Sequence, residues 1–369
     1  MSSPRFQKTL GLKLADNVRP DPALHAKRMT MAIGSPPGAA QPAQAFMERR
    51  PLVDYTGNIF SDRGSTYLVG RLLGEGASGR VYQVDDYTSD VLPAEKNLAL
   101  KVLTPGVHRT VKERSIREAR ILAEFDHPAI LQCRGFFEHD DITFLVLDHL
   151  LGYPLSAILD GTVPLSTKLE LMDKIVIAMV VAEALAEVHK KAIHRDLKPE
   201  NIFLCSEDHK DPRILDAVKL IDFGIAKRLH GSEVDIVLTA MGETFGTPEY
   251  MSPEQLSAPQ NVDHRSDLYS FGVVLYEMLA NRLPFIGKRT DVMRGHLTET
   301  PKPIREFNPE VSEKLDSLVL RLLAKSKNER PNDAETVANE LRSLFLDGEL
   351  STATTLRTQL SSLFMRWMK

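Results

Sequence analysis

From His194 to Asn201 the chain reads His-Arg-Asp-Leu-Lys-Pro-Glu-Asn. A carboxylate (Asp196), an ammonium (Lys198) and a carboxamide (Asn201) fall within six residues, and a bulky leucine and a proline limit how the backbone between them can run. Any fold of this chain must hold those three groups at one point, because the set suits phosphoryl transfer. The carboxylate can orient a hydroxyl and accept its proton. The ammonium can neutralise the migrating group, and the amide oxygen can ligate a divalent cation. Asp222, in Asp222-Phe223-Gly224, is a second cation-ligand candidate 21 residues further on.

The composition sets bounds on everything else. With 369 residues there is room for one large or two ordinary domains, and 43% hydrophobic with 26% charged residues is the make-up of a globular protein. A net charge of -4 argues against nucleic acid as a partner. The two cysteines, Cys133 and Cys205, stand in apolar surroundings and are read as small buried hydrophobes, not a disulfide. That points to a reducing, cytoplasmic setting. The amino terminus has no signal-peptide core. The longest apolar run, Ile175 to Ala182, falls far short of the ~20 residues of a spanning helix, so no transmembrane segment is expected.

Residues 1–62 read as a disordered, mildly basic arm in which prolines recur and Gly34 to Gln44 has no apolar period. Order is expected to begin near Tyr67. Tyr67 to Leu73 and Val81 to Val84 read as strands flanking a glycine loop, Gly74-Glu75-Gly76-Ala77-Ser78-Gly79. This is a hairpin, not the strand-loop-helix of a dinucleotide site. Its glycines let the backbone close over a phosphate with N–H groups turned inward. Leu98 to Leu103 reads as a buried strand carrying one lysine, Lys101, whose charge needs a partner there. The helical spacing of Val111 to Phe125 offers Glu113 and Glu118, and His127-Pro128 stops that helix. Ile130 to Phe137 and Ile142 to Leu147 read as two more strands, and Asp148 to Pro154 as a connector.

Beyond the connector the character turns helical. Ser166 to Lys191 holds a helix that is apolar nearly all round, the mark of a core helix. It leads into residues 194–201 and two short strands, Ile202 to Leu204 and Val218 to Ile221. The irregular stretch from Ile225 to Met251 is long enough to expect a functional role. Ser266 to Leu279, Leu315 to Ala324 and Ala334 to Leu346 read as helices. The tail, 348–369, spaces Leu356, Leu360, Leu363, Phe364 and Trp367 along one helical face. It is read as an amphipathic helix that packs on the domain or on a second copy, with a membrane-surface helix as the alternative.

These motifs resemble, in content and order, the eukaryotic-like (Hanks-type) protein kinase family, and more closely its bacterial serine/threonine branch. The likeness runs from about Tyr67 to Leu346. Gly74 to Val81 is similar to the family's glycine-rich loop and Ala99-Leu100-Lys101 to its third-strand lysine motif; Glu118 falls where the lysine's glutamate partner stands. His194 to Asn201 matches the catalytic loop throughout, Asp222-Phe223-Gly224 the metal motif, and Ser252-Pro253-Glu254 the Ala-Pro-Glu motif with serine for alanine. Asp267 resembles the central-helix aspartate, with Tyr269 where tryptophan is usual. Arg330 resembles the late arginine that pairs with a residue like Glu254. The resemblance implies an α+β, bilobal fold: a small antiparallel β-sheet lobe plus one helix at 63–147, a hinge at 148–154, and a larger, mainly helical lobe at 155–347.

The resemblance also implies roles. The γ-phosphoryl group of ATP would pass, with Mg2+ (or Mn2+), to serine or threonine hydroxyls of protein substrates. Asp196 would orient the hydroxyl and Lys198 would stabilise the migrating charge, while Lys101, held by Glu118, would contact the α/β-phosphates. Asn201 and Asp222 would hold the metal. ATP would lie against Leu73, Gly74, Glu75, Gly76, Ala77, Ser78 and Gly79. Its adenine would lie between Val81, Ala99 and Phe203, behind Leu147, and bond the backbone of Asp148 and Leu150. Phe223, Leu122 and His194 would stack in a hydrophobic column anchored by Asp267. Thr247, in the floor Gly246 to Tyr250, would bond Asp196 and Lys198.

Control is implied at Arg195, which with Lys227 would clamp a phosphorylated residue of the activation loop. Thr239 and Thr244 are the candidates for autophosphorylation. Glu243 stands where many relatives carry the phosphorylated threonine and would supply part of its charge. Two other classes fit fewer of the motifs. A pseudokinase scaffold would not need Lys101, Asp196, Asn201 and Asp222 together, and a small-molecule kinase would not need the long activation segment.

Overall fold

Strand-forming residues on either side of the glycine loop pair as a hairpin, and four further strands extend it into a sheet. The computed structural model describes residues 54–62, 64–76, 79–86, 98–103, 116, 119–140, 142–163, 169–205, 217–222 and 247–346. Strands β1 (Ile59–Asp62), β2 (Ser65–Gly76), β3 (Gly79–Asp86), β4 (Leu98–Leu103), β5 (Cys133–His139) and β6 (Ile142–Asp148) form an antiparallel sheet of order β1-β2-β3-β4-β6-β5. Gly79 has φ 134°, and a Cβ there would meet the Val102 carbonyl oxygen at 1.9 Å, so only glycine lets the hairpin close onto β4.

The period-2 pattern of β4 divides its side chains between two faces. Leu98, Leu100 and Val102 join Tyr82, Val84, Phe137, Phe144 and Val146 in an outer core. Ala99 and Lys101 belong to the opposite set, where Leu145, Leu147 and Cys133 meet Ala119 of the helical segment 119–123. Lys101 is paired in register with Val81 on one side and Leu145 on the other, which places it mid-sheet.

Order begins earlier than the expected Tyr67. Residues 54–62, assigned to the arm from composition, add strand β1 and bury Tyr55 and Phe60 in the outer core. Tyr55 meets Phe144 edge-on at 5.5 Å, and Phe60 lies 4.8 Å from the same ring. An aromatic cluster of this kind stabilises beyond the area it buries. The strand expected from Ile130 starts only at Cys133; Ile130 instead makes a single parallel bridge to Leu220. Cys133 is buried as expected, whereas Cys205 is only half-buried.

The connector ends in a strand, β7 (Gly152–Pro154), which joins β8 (Ile202–Cys205) and β9 (Ala217–Leu220) in a second antiparallel sheet. Seven helices follow β7 among the described residues: α1 (Leu155–Leu159), α2 (Leu171–His189), α3 (Pro253–Ser257), α4 (His264–Ala280), α5 (Arg289–Thr298), α6 (Glu313–Leu322) and α7 (Ala334–Leu346). α2 and α4 carry the apolar runs expected of core helices, and both are buried nearly all round. Asp263 caps α4 by accepting the Arg265 N–H at 2.9 Å, and the helix ends at Asn281 in the left-handed region. α2, α4, α6 and α7 share one continuous core with β8 and β9. The fold is thus mixed α+β, an antiparallel sheet followed by a mainly helical region. Glu118, Phe223, Lys227, Thr239, Glu243, Thr244, Ala77, Ser78 and the tail 348–369 lie outside the described residues.

Candidate functional site

The stretch 194–201 runs between α2 and β8, and one carboxylate of α4 pins its start. Asp267 accepts the backbone N–H of His194 on Oδ2 and that of Arg195 on Oδ1, both at 2.7 Å. His189, at the end of α2, contacts Asp267 Oδ2 at 2.9 Å. Burial works against the Asp267 charge, but the hydrogen bonds and charges of its neighbours outweigh it and hold the carboxyl below its ordinary pKa. Arg195 is forced to φ 65°, and Gln255 of α3 donates to its carbonyl at 2.9 Å. A non-glycine residue in that region costs about 1–3 kcal/mol, which the surrounding bonds must offset.

His194 is fully buried, and burial pushes its imidazole below the ordinary range, so the ring is neutral. Its Nε2 bonds the Ile221 carbonyl at 3.2 Å and its Nδ1 accepts the Asp196 N–H at 3.4 Å. One neutral ring therefore ties Asp196 to the residue before Asp222.

Around Asp196 three side chains converge. Asn201 donates its Nδ2 to the Asp196 carbonyl at 2.7 Å and faces Asp196 Oδ2 at 3.4 Å. Lys198 lies 3.6 Å from the same carboxylate oxygen and donates to Thr247 Oγ1 at 3.4 Å. The expected bond from Thr247 thus reaches Lys198. With its Nδ2 committed, Asn201 presents Oδ1 as the atom for a cation.

Lys101 is buried and ion-paired with Asp222, which stands at φ 50° two residues after the end of β9. The partner expected from the sequence, Glu118, lies outside the described residues. The sheet and the helical region therefore meet through a cation on β4 and a carboxylate 121 residues later. Val81, Ala99 and Phe203, expected to enclose adenine, lie on β3, β4 and β8. Leu73, Gly74, Glu75 and Gly76 run along β2 opposite β3, and Glu75 pairs with Arg80 at 3.0 Å.

Several supporting residues were not foreseen. Arg134 of β5 grips Asp148 with two bonds, 2.6 and 2.9 Å, at the start of the connector. Gly152 has φ 139°, and a Cβ there would lie 2.0 Å from the Leu204 carbonyl oxygen, so the connector can pair with β8 only through glycine. Tyr250 donates to Glu277 of α4 at 2.7 Å, and Ser270 donates to the Tyr250 carbonyl at 2.7 Å. Burial pushes the Glu277 carboxyl up, as does the neighbouring Glu200 charge. No local sequence signal marks these partners, because each is far away in the chain.

Arg330 forms a two-pronged ion pair with Glu254, 2.7 and 2.9 Å, and Ser266 donates to the same carboxylate at 2.6 Å. Burial opposes the Glu254 charge, but Arg330 and Ser266 outweigh it and hold its carboxyl below the ordinary range.

Comparison with known proteins agrees with this architecture. Residues 67–341 match the protein kinase domain family model. The chain is 36% identical over 282 residues to serine/threonine-protein kinase pkn2 of Myxococcus xanthus, covering 74% of this chain and 32% of that protein. It is 37% identical over 287 residues to pkn3 of the same organism, covering 75% and 50%. With serine/threonine-protein kinase PrkC of Bacillus subtilis it shares 30% identity over 285 residues, covering 76% and 40%. The chain thus spans a half or less of the length of these relatives. The kinase domain of Mycobacterium tuberculosis PknI superposes with a TM-score of 0.57 at 26% identity, covering 78% of this chain and 98% of that one. The chain belongs to the protein kinase family, in its bacterial Hanks-type serine/threonine branch.

Proposed function

We propose that this chain is an ATP-dependent protein kinase that phosphorylates serine and threonine hydroxyls of protein substrates. The observation that carries the reading is the convergence of Asp196, Lys198, Asn201 and Thr247, with Asp222 beside them bonded to Lys101 of the sheet. Family membership implies ATP and a divalent cation. The donor set fits a hard cation: the Asn201 Oδ1 and the Asp222 carboxylate are oxygen ligands of the kind Mg2+ prefers, with Mn2+ as a substitute. When bound, that cation neutralises phosphate charge.

The chain's own groups take the remaining tasks. Asp196 orients the acceptor hydroxyl and receives its proton. Lys198 lies close enough to stabilise charge on the migrating group. Lys101 serves the α/β-phosphates. Adenine is held by the backbone of Asp148 and Leu150, and Val81, Ala99 and Phe203 enclose its ring. Glu118 supports Lys101. Arg195 with Lys227 receives a phosphate on Thr239 or Thr244. The tail 348–369 serves for self-association. Dependence on ATP supports a cytoplasmic location, and no helix among the described residues is long and apolar enough to cross a membrane.

The test is incubation with radiolabelled Mg-ATP and a generic basic protein, comparing wild type with Asp196→Ala. Label should appear on serine and threonine with wild type alone. No transfer to itself or to any protein would sink the reading.

A further inference from the structure

An open groove of about 780 Å3 runs between α6 and α7, away from the groups assigned above. Glu313, Ser317 and Arg321 line it from α6; Glu340, Ser343 and Leu344 line it from α7. Arg321 pairs with Glu340 from one wall to the other. An adjoining hollow on α6 adds Leu320, Ala324 and Glu329. Three carboxylates, Glu313, Glu329 and Glu340, stand against two cations, Lys314 and Arg321, besides the buried Asp316, which accepts the Ile304 N–H. Glu313 and Glu329 are exposed and have no ion-pair partner among the described residues. The groove is thus apolar along its floor and carries an excess of negative charge.

The sequence that follows α7 is its complement. From Leu356 to Lys369 it holds Arg357, Arg366 and Lys369 and no acidic residue. Leu356, Leu360, Leu363, Phe364 and Trp367 share one face at helical spacing. A large apolar side chain gains about 1.5–3 kcal/mol on full burial, so a stripe of five calls for a cover. Leu320, Leu344 and the aliphatic stems of the rim offer one. The lengths agree as well. At helical rise Leu356 to Trp367 would span about 18 Å, and α6, with 10 residues, spans about 15 Å.

We propose that this groove receives the tail of a second copy: residues 356–367 of each chain lie between α6 and α7 of the other. The proposal rests on the reading of the tail as a self-association segment and gives that segment its receiving surface. Ser343 and Leu344 belong to the last turn of α7, which ends at Leu346, so the groove ends where the tail begins. To fill its own groove the tail would have to fold back on α7. A two-fold-related copy offers the same groove without that reversal, and the exchange closes after two chains. Each pair then covers two stripes, one in each groove.

Trp367 is the chain's single tryptophan, so its fluorescence reports on the tail alone. The test follows sedimentation equilibrium and tryptophan emission over a dilution series of the full chain, in wild type, Ser317→Arg, Ser343→Arg and Leu360→Asp, each checked for folding by circular dichroism. Wild type should dimerise, with short-wavelength emission that moves to longer wavelength as the dimer dissociates. Either arginine fills the groove from an exposed position, and Leu360→Asp puts a charge in the stripe. Each should raise the dissociation constant about tenfold or more. An equimolar mixture of Ser317→Arg and Leu360→Asp keeps one intact tail and one intact groove, and should associate more tightly than either variant alone. Dimers that survive both arginine variants but not Leu360→Asp would overturn the proposal while leaving self-association through the tail in place. Short-wavelength emission from a monomer at every dilution would put the tail in its own groove and overturn it too. So would an emission shift seen only with phosphatidylcholine–phosphatidylglycerol vesicles, which would give the stripe to a lipid surface. A wild type that stays monomeric with long-wavelength emission ends the self-association reading and this proposal together.

Discussion

The Asp267 carboxylate accepts the Arg195 N–H at 2.7 Å, and Arg195 is the residue the loop holds at φ 65°. The strain lies one residue before Asp196, so the aim of Asp196 depends on a side chain of α4. Asp267→Asn would turn an amide N–H2 against one of two backbone donors. It should cost about 1.5–3 kcal/mol, the range for a hydrogen bond to a charged group. A shift of the loop by an ångström should lower kcat about 10²-fold. Urea denaturation and steady-state kinetics check both; unchanged kcat in a destabilised variant would separate the anchor from the aim of Asp196.

Gly152 tests the connector. Gly152→Ala places a methyl group on the Leu204 carbonyl at a backbone angle that alanine resists. Stability should fall by about 1–3 kcal/mol from strain alone, before the clash is counted. Gly135→Ala, where a Cβ would meet nothing within 4 Å, is the control and should change little. Chemical denaturation of the two variants decides between them.

The Glu254–Arg330 pair makes a pH prediction whose sign can be worked out. The folded carboxyl lies below its ordinary value of 4.5, so the pair stabilises the fold above about pH 4.5. That contribution is lost as pH falls through the folded value. Arg330→Met removes the partner and leaves a buried carboxylate, which should cost about 3–5 kcal/mol near neutrality. Its pKa should then rise above 4.5, and the variant should gain stability on mild acidification where wild type does not. Denaturation midpoints between pH 4 and pH 7 check the reversal.

Much of this was legible in the chain, and the part that was not has a common cause. The Leu98–Leu103 strand, the apolar helices and the 194–201 stretch announce themselves through local pattern, and each was found with small shifts at its ends. β1 was missed because Ile59–Asp62 is short and follows a Gly-Asn turn. Its value depends on Phe144, more than 80 residues later. The pairing of Lys101 with Asp222 joins residues 121 apart, a separation no local pattern reaches. Tyr250 with Glu277 and Arg330 with Glu254 are likewise distant pairs, 27 and 76 residues apart.

Phosphatase treatment tests the expectation for the activation loop. One carboxylate at Glu243 carries less charge than a phosphate, so dephosphorylated protein should keep partial activity, and Thr239→Ala with Thr244→Ala should match it. Complete loss on dephosphorylation would remove Glu243 as a sufficient activator. Transfer assays before and after treatment give the answer.

The distance along the chain between Arg195 and Asp267 also bears on how the protein is made. The ribosome releases the loop 72 residues before its anchor. At about 5–20 residues per second the loop waits roughly 4–14 s for α4 to be translated, and longer for α4 to clear the exit tunnel. During that time His194, fully buried in the finished fold, has no pocket to enter. The loop cannot take its final shape before α4 is made, and substitutions at Asp267 should lower the yield of newly made protein as well as its activity.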